Sequence, residues 1–316
     1  MLMEIIRNIE KTRMMSRCAA TIGVFDGVHA GHQAVIKRLI SEAHFLHLAS
    51  MVITFDRQPR QLFDPAFRPQ LLTTQTEKEQ AIEQLGVDFL VVLPFTREMA
   101  SLSARDFMEQ ILKEKLNVKL LATGYDNRFG RDRTEGFEDY KRYGQELGIR
   151  VYQGIKISFQ DFDFSVCSSN IRSLLSDDGD VETAAVLMER PYQLSGKVMP
   201  GEHIGHQLGF PTANLEPDDP FKLIPANGVY AVGATIGKSQ EWLAAMMNIG
   251  TRPTFDGRDR TLEVNIFDYD GDLYGQTVTI TFVGRLREER RFDSPEALAA
   301  QLQEDRRACL DLFSRK

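Results

Sequence analysis

The stretch GVFDGVHAGHQ, residues 23–33, constrains this chain more than any other. An apolar run at 19–22 precedes it. Behind it, Val35, Ile36, Leu39, Ile40, Ala43 and Leu46 recur on one face of a 3.6-residue period. The pattern predicts a strand ending near 24–25, a turn, and a helix starting near 31–32. Such a turn aims backbone N–H groups and the positive helix end at one spot, where an anion binds. Gly23, Gly27 and Gly31 allow positive φ or close approach to a ligand. His29 and His32, three apart, reach the same side and can donate hydrogen bonds where charge develops on a polyphosphate. A Walker-type loop is excluded, because no Gly-Lys-Ser/Thr follows the turn. A metal site ranks low, since no Cys or carboxylate stands at convincing spacing.

From 19 to about 155, apolar runs (51–55, 89–93, 119–123) alternate with helical patterns (76–86, 103–116, 136–147). That alternation implies a parallel sheet with helices on both faces. Ligands of such sheets bind beyond the carboxyl ends of the strands. Two further loops fall there. Gly124-Tyr125-Asp126-Asn127-Arg128-Phe129-Gly130 presents acidic, amide, basic and aromatic groups together. Ser168-Ser169-Asn170-Ile171-Arg172 places Ser169 as a helix N-cap and Arg172 in the first turn. The planar fork of an arginine there matches phosphate oxygens.

The 316 residues suffice for two domains, and 42% hydrophobic with 26% charged residues is globular composition. Lys plus Arg number 38 against 45 Asp plus Glu, net −7, so no basic surplus points to nucleic acid or an anionic membrane. The N-terminus has no signal-peptide core, and nothing approaches the ~20 apolar residues of a span. Three scattered cysteines form neither a metal motif nor a disulfide framework. The expectation is a cytoplasmic protein. A homo-oligomer is compatible with the sequence.

Near 188 the pattern changes, after the acidic run 176–180, a short helical stretch at 181–188 and Pro191. Strand-like runs follow at 194–199, 229–235, 242–249, 262–267 and 277–283, which suggests a small antiparallel barrel. Ser294 and Pro295 then open a closing helix that runs to about 313. Two stretches here carry chemistry. Gly209-Phe210-Pro211-Thr212-Ala213-Asn214 can fix a loop against phosphate oxygens and a Mg²⁺ ion, which takes few protein ligands. At 262–267, Leu262, Val264 and Ile266 share one strand face, with Glu263 and Asn265 on the other. Facing outward, Glu263 is a solvated carboxylate; at a ligand mouth it can act as a general base.

His29-Ala30-Gly31-His32 resembles the His-x-Gly-His signature of the nucleotidyltransferase superfamily, and residues 23–28 in front look like its FAD synthetase branch. The likeness continues through Leu72-Thr73-Thr74 with Lys78, Leu93-Pro94-Phe95-Thr96, Asp106-Phe107 and both loops, over about 19–190. Residues 209–214, Asn227-Gly228-Val229-Tyr230, Asn248-Ile249-Gly250, and Glu263 with Asp272-Leu273-Tyr274-Gly275 look like riboflavin kinase, over about 192–314. The whole chain thus resembles the bacterial bifunctional riboflavin kinase/FAD synthetases. It departs from that pattern at Gln58, Asn127, Asn170 and His206.

The resemblance implies an adenylyltransferase domain at 1–187, of nucleotidyltransferase-type Rossmann-like fold, and a kinase barrel at 188–316. It implies riboflavin, FMN and ATP as substrates, with Mg²⁺. His29, His32 and Arg172 would act on ATP phosphates, and Glu263 on the ribityl hydroxyl. Gly23, Phe25, Asp26, Gly27, Gly31, Ser168, Ser169, Gly209, Pro211, Thr212 and Asn214 would bind ATP, Thr212 reaching Mg²⁺ through it. Asp126 and Asn127 would meet the flavin. The alternative reading is an enzyme keeping one activity, its other domain a scaffold or flavin-binding module.

Overall fold

The computed structural model describes residues 2–9, 14–125, 127–154, 165–200, 210–254 and 257–314. The chain divides into two compact units, Met1–Ser168 and Ser169–Lys316.

The first unit is built on a six-stranded sheet: β1 (Glu4–Ile6), β2 (Cys18–Ile22), β3 (Ala49–Phe55), β4 (Phe89–Leu93), β5 (Val118–Thr123) and β6 (Arg150–Gln153). The order is β1-β4-β3-β2-β5-β6, and every pairing is parallel. The apolar runs become inner strands because both sheet faces are covered. Met51 and Ile53 pack into one cluster with Leu112 and Tyr140; Val52 joins another with Ile36 and Leu90. Edge strands β1 and β6 were not expected, being too short to leave a period. The helix after β2, α1 (Ala30–Phe45), buries Ile36, Leu39 and Ala43. The chain leaves β2 toward β3 and β4, then resumes at β5 on the opposite side. That reversal makes the carboxyl ends of β2 and β5 the switch point at which such sheets hold ligands.

In the second unit β7 (Gln193–Met199), β8 (Ala213–Pro217), β9 (Gly228–Ile236), β10 (Leu243–Thr254), β11 (Gly257–Ile266) and β12 (Thr277–Arg287) close an antiparallel barrel. Its order is β10-β11-β8-β7-β12-β9. Five runs were expected; β8 is the sixth, five residues whose Asn, Glu and Pro hide the alternation. Alternate residues fill the interior, Tyr230 and Tyr192 packing on Phe282. The helix Pro295–Ser314, capped by Ser294 Oγ accepting from Ala297 N–H, lies against the outer wall, where Cys309 meets Ala231 and Met246. The helix Val181–Met188 packs on β12 in the same unit.

Candidate active sites

At the switch point, His29 caps α1 in extended conformation (φ −69°, ψ 172°), its Nδ1 accepting from His32 N–H at 3.4 Å. A ring that accepts through Nδ1 carries its neutral proton on Nε2, which makes Nε2 a donor. The rings of His29 and His32 stack 3.7 Å apart at 19°, and Phe25 stands edge-on to His32 at 5.1 Å. Three residues singled out from the sequence are therefore held as one group.

The backbone beneath them is strained. Phe25 (φ 51°) and Val28 (φ 37°) take left-handed conformations, as does Gly27 (φ 83°). Such outliers cost about 1–3 kcal/mol each and persist only where the surroundings enforce them. Here Asp26 Oδ1 accepts from the N–H groups of Leu72 (2.9 Å) and Thr73 (3.1 Å). Gly27 N–H donates to Thr73 Oγ1, Ser168 Oγ to the Asp26 carbonyl, and Gln33 Nε2 to the Val28 carbonyl. The positive φ expected of three glycines applies to Gly27 alone. Gly31 is instead required by contact, since a Cβ would stand 3.2 Å from the His29 ring.

The other expected residues divide. Asp26 is buried, and its carboxylate is turned to the 72–73 backbone, so it shapes the turn. Asn127 Nδ2 donates to the Ile22 carbonyl, tying its loop to the end of β2. Gln58 precedes the helix Pro59–Phe63 as its N-cap residue. The helix Ser168–Ser173 begins one residue earlier than expected, so Ser169 lies inside its first turn rather than capping it; Ser168 uses its hydroxyl on Asp26. Arg172 is on that helix, half-buried, within the second unit. Asp126, Gly209 and His206 lie outside the described residues.

In the barrel, Glu263 pairs directly with Asn214 on β8 and Asn248 on β10. Residues opposite one another in a ladder project from the same face. That face is the outer wall, because Asn248 follows Met246 by two and Met246 packs under the C-terminal helix. Leu262, Val264 and Ile266 point inward and are buried, as the alternation implied. The outer face is not open solvent. Phe210 packs on Met246 and Phe267, Glu263 is half-buried, and Asn265 is 5% exposed. Asn265 Nδ2 donates to the Pro211 carbonyl at 2.7 Å, which anchors the segment leading into Thr212 and Asn214. A strand polar residue two beyond a candidate base was the only sequence signal for this role.

Thr212 and Asn214, half-buried, follow each other at period two and offer neutral oxygens beside Glu263. Among the described residues no group of three or more His, Cys, Asp or Glu could cage a metal. Two hard oxygens without a cage fit Mg²⁺, which takes one or two protein ligands and the rest from phosphate and water.

A six-stranded parallel sheet with a histidine pair at its switch point and a closed barrel walled by a carboxylate are the architecture that two transferase families, one of nucleotidyltransferase and one of kinase type, match in this chain. The FAD synthetase family matches residues 11–169 and the riboflavin kinase family residues 188–313. The bifunctional riboflavin kinase/FMN adenylyltransferase of Escherichia coli strain K12 is 35% identical over 98% of both chains. The protein of that description from Pseudomonas fluorescens is 37% identical over 96% of both. A crystal structure described as a macrolide-efflux protein from Streptococcus pneumoniae superposes with TM-score 0.89 at 31% identity, covering 98% of this chain and 99% of that one. Among the described residues no helix is long and apolar enough to cross a membrane. The chain belongs to the bifunctional riboflavin kinase/FMN adenylyltransferase family.

Proposed function

We propose that the chain makes FAD from riboflavin in two ATP-dependent steps. In the first, the ribityl hydroxyl attacks the γ-phosphorus of ATP, giving FMN and ADP. In the second, an FMN phosphate oxygen attacks the α-phosphorus of another ATP, giving FAD and pyrophosphate. The observation that carries this reading is that the FAD synthetase match falls on the unit holding His29 and His32, and the riboflavin kinase match on the unit holding Thr212, Asn214 and Glu263. Adenylylation is assigned to residues 1–187 and phosphorylation to 188–316. The cytosol is proposed as the compartment, in keeping with free Cys18, Cys167 and Cys309.

Both steps are read as direct in-line displacements governed by positioning and charge. His29 and His32 would donate to the ATP phosphates beside the α1 N-terminus. Arg172 would neutralise charge on the departing pyrophosphate, with Ser168 and Ser169 at the start of the same helix. Asn127, through its amide oxygen, and Asp126 would meet the flavin. In the barrel Glu263 would accept the ribityl proton while Thr212 and Asn214 orient the triphosphate. Mg²⁺, held there by Thr212 and Asn214 oxygens, would supply charge neutralisation at the γ-phosphate.

Chromatography of riboflavin, ATP and Mg²⁺ incubated with the protein tests the proposal. FMN should appear first and FAD after it, with ADP and pyrophosphate released, and a chelator should stop turnover until Mg²⁺ is restored. FMN without FAD removes the adenylylation step from the reading, and no turnover removes both steps.

A further inference from the structure

Lys78, on the helix Gln75–Glu83 of the first unit, is 7% exposed. A buried ammonium persists where protein oxygens replace its hydration. Three do so here: Nζ donates to the Val24 carbonyl at 3.4 Å, to Thr54 Oγ1 at 3.2 Å and to the Phe55 carbonyl at 3.3 Å. Val24 belongs to the turn between β2 and α1, and Thr54 and Phe55 end the adjacent strand β3. Thr54 Oγ1 itself donates to the Val24 carbonyl at 3.1 Å. A hydroxyl and an ammonium thus draw one carbonyl of the turn to the same side. In a trans peptide the C=O and the following N–H point opposite ways. With the Val24 carbonyl directed at Lys78, the Phe25 N–H is directed away from it.

We propose that Lys78 is a positioning residue for FMN adenylylation: its ammonium sets the orientation of the turn peptides and adds a fixed positive charge behind the site for the ATP phosphates. The inference rests on the adenylylation reading above. Three carboxylates act on Lys78: Asp26 on the turn, Asp56 beyond β3, and Glu79 on its own helix. Each is engaged elsewhere. Asp26 holds the 72–73 backbone, Asp56 accepts from Phe95 N–H and Arg57, and Glu79 accepts two bonds from Arg7 at 2.8 Å. Burial outweighs their attraction and brings the Lys78 ammonium down to about 8, so its charge is lost within an accessible pH range.

The test uses the full chain as wild type, Lys78→Met and Lys78→Arg, with FMN-to-FAD conversion followed from about pH 6.5 to about pH 10. For the wild type, kcat/KM for ATP should fall as pH passes about 8. Lys78→Met should start up to about 10²-fold lower at neutral pH, the scale of loss when a remote change misplaces reacting groups, and show no such fall. Lys78→Arg should retain activity into the alkaline range, because guanidinium stays charged. Riboflavin phosphorylation in each protein is the internal control and should not change. An alkaline fall that persists in Lys78→Met, or a Lys78→Met rate within about two-fold of wild type, overturns the inference. Wild type that makes no FAD removes the adenylylation reading first, and this inference with it. If Lys78→Met does not fold by circular dichroism, the wild-type and Lys78→Arg profiles decide: identical alkaline falls overturn the role.

Discussion

At the scale of single residues, the group proposed for adenylylation joins a structural role to the proposed chemical one in the same side chains. His29 both caps α1 and is proposed to bind phosphate, and substitution can separate the two. Asparagine caps well and alanine does not, a difference of about 1 kcal/mol. His29→Asn should therefore keep the thermal midpoint of the first unit while losing FAD formation, and His29→Ala should lose both; equal melting of the two would deny the capping role. His32→Ala should cut FMN adenylylation by ~10²-fold or more with riboflavin phosphorylation intact. Lys78 adds a dependence on pH whose sign is opposite for stability and activity. Its ordinary value is 10.5 and its folded value about 8, so across that window the unfolded chain holds a proton the folded chain has released. Stability then rises with pH while adenylylation falls. A wild-type melting point that does not climb relative to Lys78→Met between those values would rule this out. In the barrel, Glu263→Gln keeps an acceptor but cannot take a proton. Riboflavin phosphorylation should drop ~10²–10⁴-fold, with conversion of supplied FMN unchanged. A rate within a few-fold of wild type would make Glu263 a half-buried wall residue and nothing more.

At the scale of elements, what the sequence disclosed was whatever repeats over enough residues. Inner strands β3, β4 and β5, helix α1 and the alternation in β11 were legible because burial writes a period into five or more positions. The chemistry-bearing turn was legible as a string, yet its geometry was not. Left-handed Phe25 and Val28 are enforced by Asp26, Thr73, Gln33 and Ser168, contacts that span up to 142 residues and leave no local pattern. A histidine cap departs from the usual Ser, Thr, Asp and Asn, which is why α1 was expected to begin later. Strand β8 escaped notice because it is short, although it carries Asn214 into register with Glu263. The same long-range logic fixes how the barrel should be excised. The Ala226 N–H donates to the Leu175 carbonyl at 2.8 Å, Arg285 Nη1 donates to the Asp178 carbonyl at 2.9 Å, and the helix Val181–Met188 buries Val181, Ala184 and Leu187. A fragment of residues 169–316 should be soluble, melt cooperatively and phosphorylate riboflavin. A fragment of 187–316 should melt lower, since it strips a buried apolar helix from β12. If the shorter fragment matches the longer, the helices before 188 contribute nothing to the barrel.

At the scale of the whole molecule, the question is whether FMN made by one domain reaches the other through solvent. The histidine pair and the proposed base are held in different units: His29 and His32 by the β2–α1 turn, and Glu263 by the ladder of β8, β10 and β11. Release of FMN into solution is then the expected intermediate step, and it can be tested without separating the domains. His32→Ala protein should convert riboflavin to FMN and stop, while Glu263→Gln protein should accept FMN but make almost none from riboflavin. Mixed at equal concentration, the two should together produce FAD from riboflavin. The product should appear after a lag set by the accumulation of free FMN, and adding FMN at the start should abolish that lag. A mixture that forms FMN yet no FAD, while Glu263→Gln alone still adenylylates supplied FMN, would mean that the intermediate passes only within one chain. A mixture producing FAD without a lag would mean that the two variants associate and hand FMN across.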